Sequence, residues 1–290
     1  MIRILGTIFA GLLGVAFGSF LNVCLSRWPQ EESIVHPRSH CRHCTHTLTW
    51  WENVPLVSWL ALRGRCRNCR AWIGWRYPLV ELAVGVLWTL QAWQLCGVMA
   101  LPNAPAIDIA LVDAIGRIIF YWLLVALAVL DAENLWLPDW LTYPGIALGF
   151  LFTFFLAPLD DLWWTEKATA KLAAIDDLLA ILIAASLMLL IRFVYWLIRR
   201  REGLGLGDVK LMAMLAAWLG LLPALFAFSF AVVLGVLVAL VMLFVQSSRG
   251  GKDEWALKRL PLGTFLCAGG LVSGLWGERI IEMYLRWAAF

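Results

Sequence analysis

Long apolar runs separated by short polar breaks organise this chain. Five are plain: Ile4–Leu25, Leu79–Leu101 with Glu81 as its one charge, Trp140–Ala157, Leu178–Ile198 with one late arginine, and Ala224–Val245. Three are weaker: a run that ends at Leu130 and carries Arg117, a short one at Val209–Leu222, and Leu260–Gly277. Apolar runs of about 20 residues match the helix length that crosses the roughly 30 Å hydrocarbon core of a bilayer. The pattern predicts an all-α polytopic membrane protein with eight transmembrane helices, seven being the main alternative. Three regions are expected: a first helix at 1–26, an inserted loop domain at 27–77, and a helical membrane core at 78–290.

Composition agrees. Of the 290 residues, 62 % are hydrophobic and only 15 % charged, so the expected partner of the surface is the lipid bilayer, and no nucleic-acid partner is expected. Basic residues are retained on the cytoplasmic side, which sets the orientation. The segment 26–77 carries eight arginines, and 199–210 holds Arg199, Arg200, Arg201 and Lys210. The segment 102–114 has only Asp108 and Asp113, and 158–177 holds Asp160, Asp161, Glu166, Asp176 and Asp177 against two lysines. Eight spans then leave both termini outside and the connections near 131–139, 199–208 and 246–259 in the cytoplasm. The first span has little basic n-region, excessive length and no clear small-residue cleavage site, so it is expected to stay in the mature protein.

The loop at 27–77 is the one connection large enough to be a domain. Cys41-x-x-Cys44 and Cys66-x-x-Cys69 stand 21 residues apart, close to the spacing by which two knuckles offer four thiolates to one tetrahedral Zn²⁺. The knuckles "CRHCTH" and "CRNCRA" are alike, as a pseudo-repeat with one half-site each would be. A domain of this size buries too little apolar area to fold alone, so a structural zinc, giving a zinc-ribbon-like fold, is expected to supply much of its stability. Disulfides are disfavoured in the reducing cytoplasm, and four cysteines leave no open position for a catalytic metal. His36, His40, His43 and His46 crowd the first knuckle, so replacement of one cysteine by histidine is a minority alternative. Cys24, Cys96 and Cys267 are expected to be small buried residues.

Charge inside the apolar runs is the next signal, because a carboxylate at the bilayer centre costs roughly 2.5–3.5 kcal/mol on insertion scales. Glu81, Asp131, Glu133, Asp139 and Asp208 border spans on the expected cytoplasmic side; for any one of them, solvation at the interface is at least as good a reading as function. Asp131 closes the run "IIFYWLLVALAVL", so it should lie near a helix C-terminus, where the macrodipole opposes negative charge. Asp208 follows Gly203, Gly205 and Gly207 and precedes "VKLMAMLAAWLG". It is expected to be an N-cap whose ionised form is favoured by the dipole, with Lys210 adding to the effect. Carboxylates in such opposed settings make an acid–base pair, one protonated and one ionised. The glycines beside Asp208 are read as backbone freedom and close approach to an extended peptide, or else as a helix-packing contact.

These residues carry a resemblance. "LDAENLWLPDWLT" at 130–142 and "GLGDVKLMAMLAAWLG" at 205–220 resemble the two aspartate motifs of the type 4 prepilin peptidases, membrane aspartic proteases of the Gly-x-Gly-Asp class. "GSFLNVCLSRWP" at 18–29, the paired knuckles, "NVPLVSWLALRGRC" at 53–66 and "WRYPLVELAVG" at 75–85 resemble that family's amino-terminal half. One departure stands out: the late motif, usually Pro-Phe/Leu-Gly-Pro, reads "LPLGTF" here, with Thr264 in place of proline.

The resemblance implies that Asp131 and Asp208 are the catalytic pair of an endopeptidase at the cytoplasmic face of the bacterial inner membrane. Its substrates would be type IV prepilins or type II secretion pseudopilins, cut after a glycine to release a basic leader. Asp208 is the expected base and Asp131 the expected acid, with Gly205, Gly207, Lys210 and Asp139 in support. Glu133 and Asp139 would attract the basic leader among arginine-rich loops, although Asp139 reads equally well as a helix start. The family's second activity methylates the new amino-terminus with S-adenosylmethionine. No Rossmann-type glycine motif follows a predicted strand, and by resemblance the cofactor site would involve the zinc loop and "GSFLNV", with Gly18, Asn22 and Glu81 as candidates. Asn22 reads equally well as an interhelical hydrogen bond. Two other classes remain: a proton-coupled transporter using Asp131 and Asp208, which leaves the knuckles unexplained, and a non-catalytic adaptor built on the zinc domain.

Overall fold

A computed structural model describes residues 2–102, 106–156, 170–201, 203–247 and 260–288. Glu202 of the glycine-rich stretch, Asp160, Asp161 and Glu166, and nearly all of the 246–259 connection lie outside the described residues. The described helices are α1 (Ile2–Arg27), α2 (Val57–Ala61), α3 (Arg76–Val98), α4 (Ile107–Asn134), α5 (Asp139–Leu156), α6 (Ala170–Arg199), α7 (Leu206–Leu219), α8 (Leu221–Ser247) and α9 (Leu262–Ala288). The described residues hold no strand, only two isolated bridges in the inserted loop, His40 with Thr47 and Arg65 with Trp72.

Each of the eight expected spans coincides with a helix, and α2 is an extra turn inside the loop. Length and composition qualify five of them, α1, α3, α4, α6 and α8, to cross a bilayer. α7 has 14 residues, which at about 1.5 Å per residue falls short of the hydrocarbon thickness. Burial explains why so short a helix is so apolar: Leu211, Met212, Met214, Leu215 and Ala216 are fully enclosed, as in a helix packed on all sides. α1, α6 and α8 instead turn Phe9, Leu12, Leu182, Leu190, Val233 and Phe244 outward, the surface a lipid solvent requires.

The chain forms two compact units, residues 1–126 and 127–290. In the first, α1 and α3 pack closely. A Cβ at Gly18 would fall 2.7 Å from Glu81 Cα and one at Gly14 would fall 2.9 Å from the Val84 carbonyl. The Trp122 indole donates to the Phe17 carbonyl at 3.3 Å, tying the early part of α4 to α1. In the second unit α7 is held from several sides. Trp218 Nε1 donates to Gly145 O of α5 at 2.8 Å, Thr153 Oγ1 donates to Ala217 O at 3.1 Å, and Arg192 of α6 donates to Leu204 O at 2.7 Å just ahead of α7. α8 and α9 meet where Gly269 lies against Ala227, and Ser273 Oγ donates to Pro223 O at 2.8 Å.

Space at the α8–α9 contact gives a sharp contrast. A Cβ on Gly269 would sit 2.9 Å from the Ala227 carbonyl carbon, whereas one on Gly235 would reach only the Phe265 ring edge at 3.4 Å. Gly269→Ala is therefore expected to cost about 1–3 kcal/mol through overpacking, lowering the thermal midpoint in detergent by several degrees. Gly235→Ala should leave the midpoint unchanged or raise it slightly, since alanine favours the helix by about 1 kcal/mol.

Candidate metal centre, cavity and aspartate pair

The two knuckles fold by the same local rule. Cys41 N donates to His46 O at 2.9 Å and Thr45 N to Cys41 O at 2.9 Å; Cys66 N donates to Ala71 O at 2.9 Å and Arg70 N to Cys66 O at 3.0 Å. Thr45 and Arg70, at equivalent positions, both take positive φ, 55° and 60°. The pseudo-repeat read from the sequence is thus a repeat of hydrogen bonds. Trp59, Trp72 and Trp75 stack beside the second knuckle with ring centroids 4.6–5.9 Å apart, and the Trp59 indole donates to Ile73 O at 3.1 Å.

These turns bring Cys41, Cys44, Cys66 and Cys69 together, with all four sulfurs within 4.8 Å of one another. The Cys41–Cys69 and Cys44–Cys66 sulfurs are 3.8 and 3.9 Å apart. A Zn–S bond of about 2.3 Å gives a tetrahedron with an edge of about 3.8 Å, so the donor set fits zinc and the distances are far from a disulfide. The His46 backbone N–H, followed by the Asn68 amide 3.6 Å away, holds the Cys44 thiol down to about 6. Against the pull of the Ala71 N–H, burial and the neighbouring thiols push Cys69 up to about 11. Four sulfurs at this spacing become thiolates together only around a cation. Among the described residues no histidine joins the cluster. His46 Nε2 lies 3.5 Å from Glu52 instead. Glu52 is buried, and the Thr49 hydroxyl and backbone N–H hold its carboxyl below the usual range.

Beside this loop the first unit contains a cavity of about 510 Å³, walled by Ser19, Phe20 and Arg27 of α1 and by Arg38, Trp50 and Asn53 among others. Arg27 is buried and donates to the Ser33 and Pro37 carbonyls at 2.7 and 2.6 Å, fixing that wall. Gly18, Asn22 and Glu81 are not in the wall; they form the α1–α3 contact. Asn22 Nδ2 donates to Tyr77 O at 2.9 Å, which is the interhelical hydrogen bond, and Glu81 Oε2 accepts from Leu56 N at 2.8 Å.

In the second unit Leu137 lies against both Gly207, next to Asp208, and Gly263, which abuts the Asp131 carboxyl, and Cys267 of α9 is buried. Asp131 occupies the last turn of α4, as expected, and is 5 % exposed. Its Oδ2 accepts from Thr264 N at 2.7 Å and lies 3.2 Å from Thr264 Oγ1, and the Gly263 N–H also points to it. A side chain at position 263 would collide with this carboxyl, its Cβ falling 2.9 Å from Asp131 Oδ2. Asp208 lies in the first turn of α7, one turn inside the position expected for it: Gly205 is the N-cap, and its N–H donates to Asp208 Oδ2 at 3.2 Å.

Three further expectations change. Lys210 pairs with Asp139, the first residue of α5, not with Asp208. Gly205 has φ −73° and ψ 150°, open to any residue. Gly203 and Gly207 are closely packed, with a Cβ on Gly207 landing 3.0 Å from Leu137 and Gly203 lying against the Tyr195 ring. The expectation that Asp208 is the ionised partner rested on helix ends and Lys210, yet more donors converge on Asp131 than on Asp208. Sequence reasoning missed Gly263 and Thr264. Their signal was "LPLGTF", noted only for its missing proline.

Residues 12–95 match the family described as Bacterial Peptidase A24 N-terminal domain, and residues 118–240 match the Type IV leader peptidase family. The chain is 34 % identical to a prepilin leader peptidase/N-methyltransferase of Stutzerimonas stutzeri, over 96 % of this chain and 93 % of that protein. It is 33 % identical to one of Pseudomonas aeruginosa with the same coverage, and 37 % identical to one of Myxococcus xanthus over 85 % of this chain and 66 % of that protein. No solved structure matches.

Metal analysis of the purified chain is expected to give one zinc per molecule. Cys66→Ser should lose it and lower the thermal midpoint, because removing one of four thiolates opens the site. His46→Ala should retain it. Zinc that survives Cys66→Ser would rule out the four-cysteine site.

Proposed function

Because the chain belongs to the type IV leader peptidase family, we propose that it is a membrane aspartic endopeptidase that removes the leader of prepilins or pseudopilins and then N-methylates the new amino-terminus. The observation that carries the reading is that Leu137 lies against both Gly207, next to Asp208 at the start of α7, and Gly263, which abuts the carboxyl of Asp131 at the end of α4, although the two aspartates are 77 residues apart in sequence. Neither the transporter nor the adaptor reading finds support among the relatives.

Two interacting carboxylates hold one proton between them, as like charges at short range cannot both ionise. The Thr264 and Gly263 donors favour negative charge on Asp131, which leaves the proton to Asp208. Asp131 takes a proton from a water whose oxygen adds to the carbonyl carbon of the leader's terminal glycine. Asp208 gives its proton to the carbonyl oxygen. When the gem-diol collapses, the C–N bond breaks, the proton on Asp131 passes to the leaving amine, and Asp208 regains one from the diol hydroxyl. This order of roles reverses the one expected from helix ends.

In this reading the Lys210–Asp139 pair braces the start of α7 against that of α5, and cleavage takes place at the cytoplasmic face of the inner membrane. The excess of arginine in 26–77 and 199–210 supports that orientation. The four cysteines hold a structural zinc that cross-links the loop.

Methylation needs S-adenosylmethionine, which supplies an electrophilic methyl group to the free amine when bound. The cavity of about 510 Å³ lies within the range of ligand pockets, about 300–1,000 Å³. Its chemistry suits that ligand: Arg27 and Arg38 offer guanidinium groups to a carboxylate, and the exposed Trp50 offers a face for a purine to stack on.

The reading is tested with purified protein in detergent, a prepilin peptide carrying its leader and S-adenosylmethionine, following product mass. The expected product has lost the leader and gained one methyl group. Asp131→Asn and Asp208→Asn should each lower cleavage by at least about 10³-fold, the scale of acid–base catalysis lost, while still methylating a pre-cut peptide. Arg38→Ala should weaken S-adenosylmethionine binding about tenfold by calorimetry, the order of one charge-assisted contact. Cleavage that persists in Asp208→Asn would overturn the site.

A further inference from the structure

The departure "LPLGTF" falls on the residue that touches the dyad. Thr264 is the third residue of α9 (Leu262–Ala288), so its N–H belongs to the first turn, whose amides have no acceptor within the helix. Asp131, on another helix, provides that acceptor at 2.7 Å. The Thr264 hydroxyl sits between two acceptors, Ala128 O at 3.0 Å and Asp131 Oδ2 at 3.2 Å. It has one proton to donate and lone pairs to accept with, so it fits either charge state of Asp131. Oδ2 accepts from it when Asp131 is ionised and also when Asp131 carries its proton on Oδ1, and Ala128 O is the alternative acceptor. Proline, the usual residue of the resembled motif at this position, has neither the N–H nor the hydroxyl.

We propose that Thr264 is a positioning residue for the aspartate pair: its N–H and its hydroxyl both face Oδ2 of Asp131 and hold that oxygen in place while Oδ1 gains and loses the proton. This rests on the peptidase reading above. The fixed Oδ2 leaves Oδ1 of Asp131 as the oxygen that meets the water. Thr264 acts through Asp131 and needs no contact with the substrate, so its effect belongs in kcat and not in KM.

The test measures kcat and KM for leader removal by the full-length chain in detergent, alongside the thermal midpoint. Thr264→Val keeps the shape and the N–H but removes the hydroxyl. It should lower kcat about tenfold, the order expected for one hydrogen bond to a charged group, with KM changed by less than about twofold. Thr264→Pro removes both donors and should lower kcat at least as far. Proline is tolerated in a first helical turn, and if this variant does not fold, the valine–serine contrast decides alone. Thr264→Ser restores both donors and should cleave within about twofold of the starting chain. The inference is overturned if the valine variant keeps kcat, if its loss lies in KM, or if serine rescues no better than valine. A starting chain that cuts no prepilin peptide sinks the peptidase reading instead, whereas one that cuts it beside an unaffected Thr264→Val sinks only the role of Thr264.

Discussion

A carboxylate enclosed by apolar helices must find in protein the hydrogen bonds that water would give, and Asp131, at 5 % exposure, finds them at the start of α9. Much of the second unit follows from that need. The first-turn amides of α9 reach Asp131 only because position 263 has no side chain, a Cβ there falling 2.9 Å from the carboxyl. Leu137 fills the space next to it and meets both Gly263 and Gly207, with virtual Cβ distances of 3.0 Å in each case. One leucine therefore spaces the α7 start and the α9 start, each of which carries or holds an aspartate. The two glycines are a packing requirement of the aspartate pair.

The inserted loop meets a different constraint by comparable means. It has little core beyond the Trp59, Trp72 and Trp75 cluster, and its order comes from two short turns repeated bond for bond. Each turn places a residue with positive φ just after or within the Cys-x-x-Cys knuckle, Thr45 in one and Arg70 in the other, neither of them glycine. Such a conformation is uncommon for residues with a Cβ. It is tolerated where the surroundings hold the turn closed, as four sulfurs about one cation would.

The helices were legible because apolar periodicity and length are local properties: all eight expected spans coincide with helices, from Ile2–Arg27 to Leu262–Ala288. The cysteine cluster was legible because ligand spacing is written along the chain. What could not be read were relations between distant segments. Asp131 was placed correctly in the last turn of α4, but nothing nearby in sequence announces that α9 begins 131 residues later against it. Lys210 looked like a partner for Asp208 two residues away, yet in a helix residues two apart do not face each other, and it turns to Asp139 of α5. The glycines near Asp208 suggested unusual dihedrals, but Gly205 has a φ of −73°, and Gly203 and Gly207 lie against Tyr195 and Leu137. Gly18, Asn22 and Glu81 were read as cofactor-site candidates, and the feature they share in the structure is the α1–α3 contact.

The electrostatics of the pair follow from helix starts more than from helix ends. Asp208 lies in the first turn of α7, and Asp131, although it closes α4, is met by the first turn of α9. Both carboxylates therefore sit where exposed amides and the helix dipole favour negative charge. Their mutual repulsion opposes the double anion, and the enclosed site strengthens that repulsion. In the proposed mechanism one shared proton balances the two effects, and the partner with more amides pointing at it retains the charge. A site built in this way needs no lysine beside the aspartates, which leaves Lys210 free to join α7 to α5.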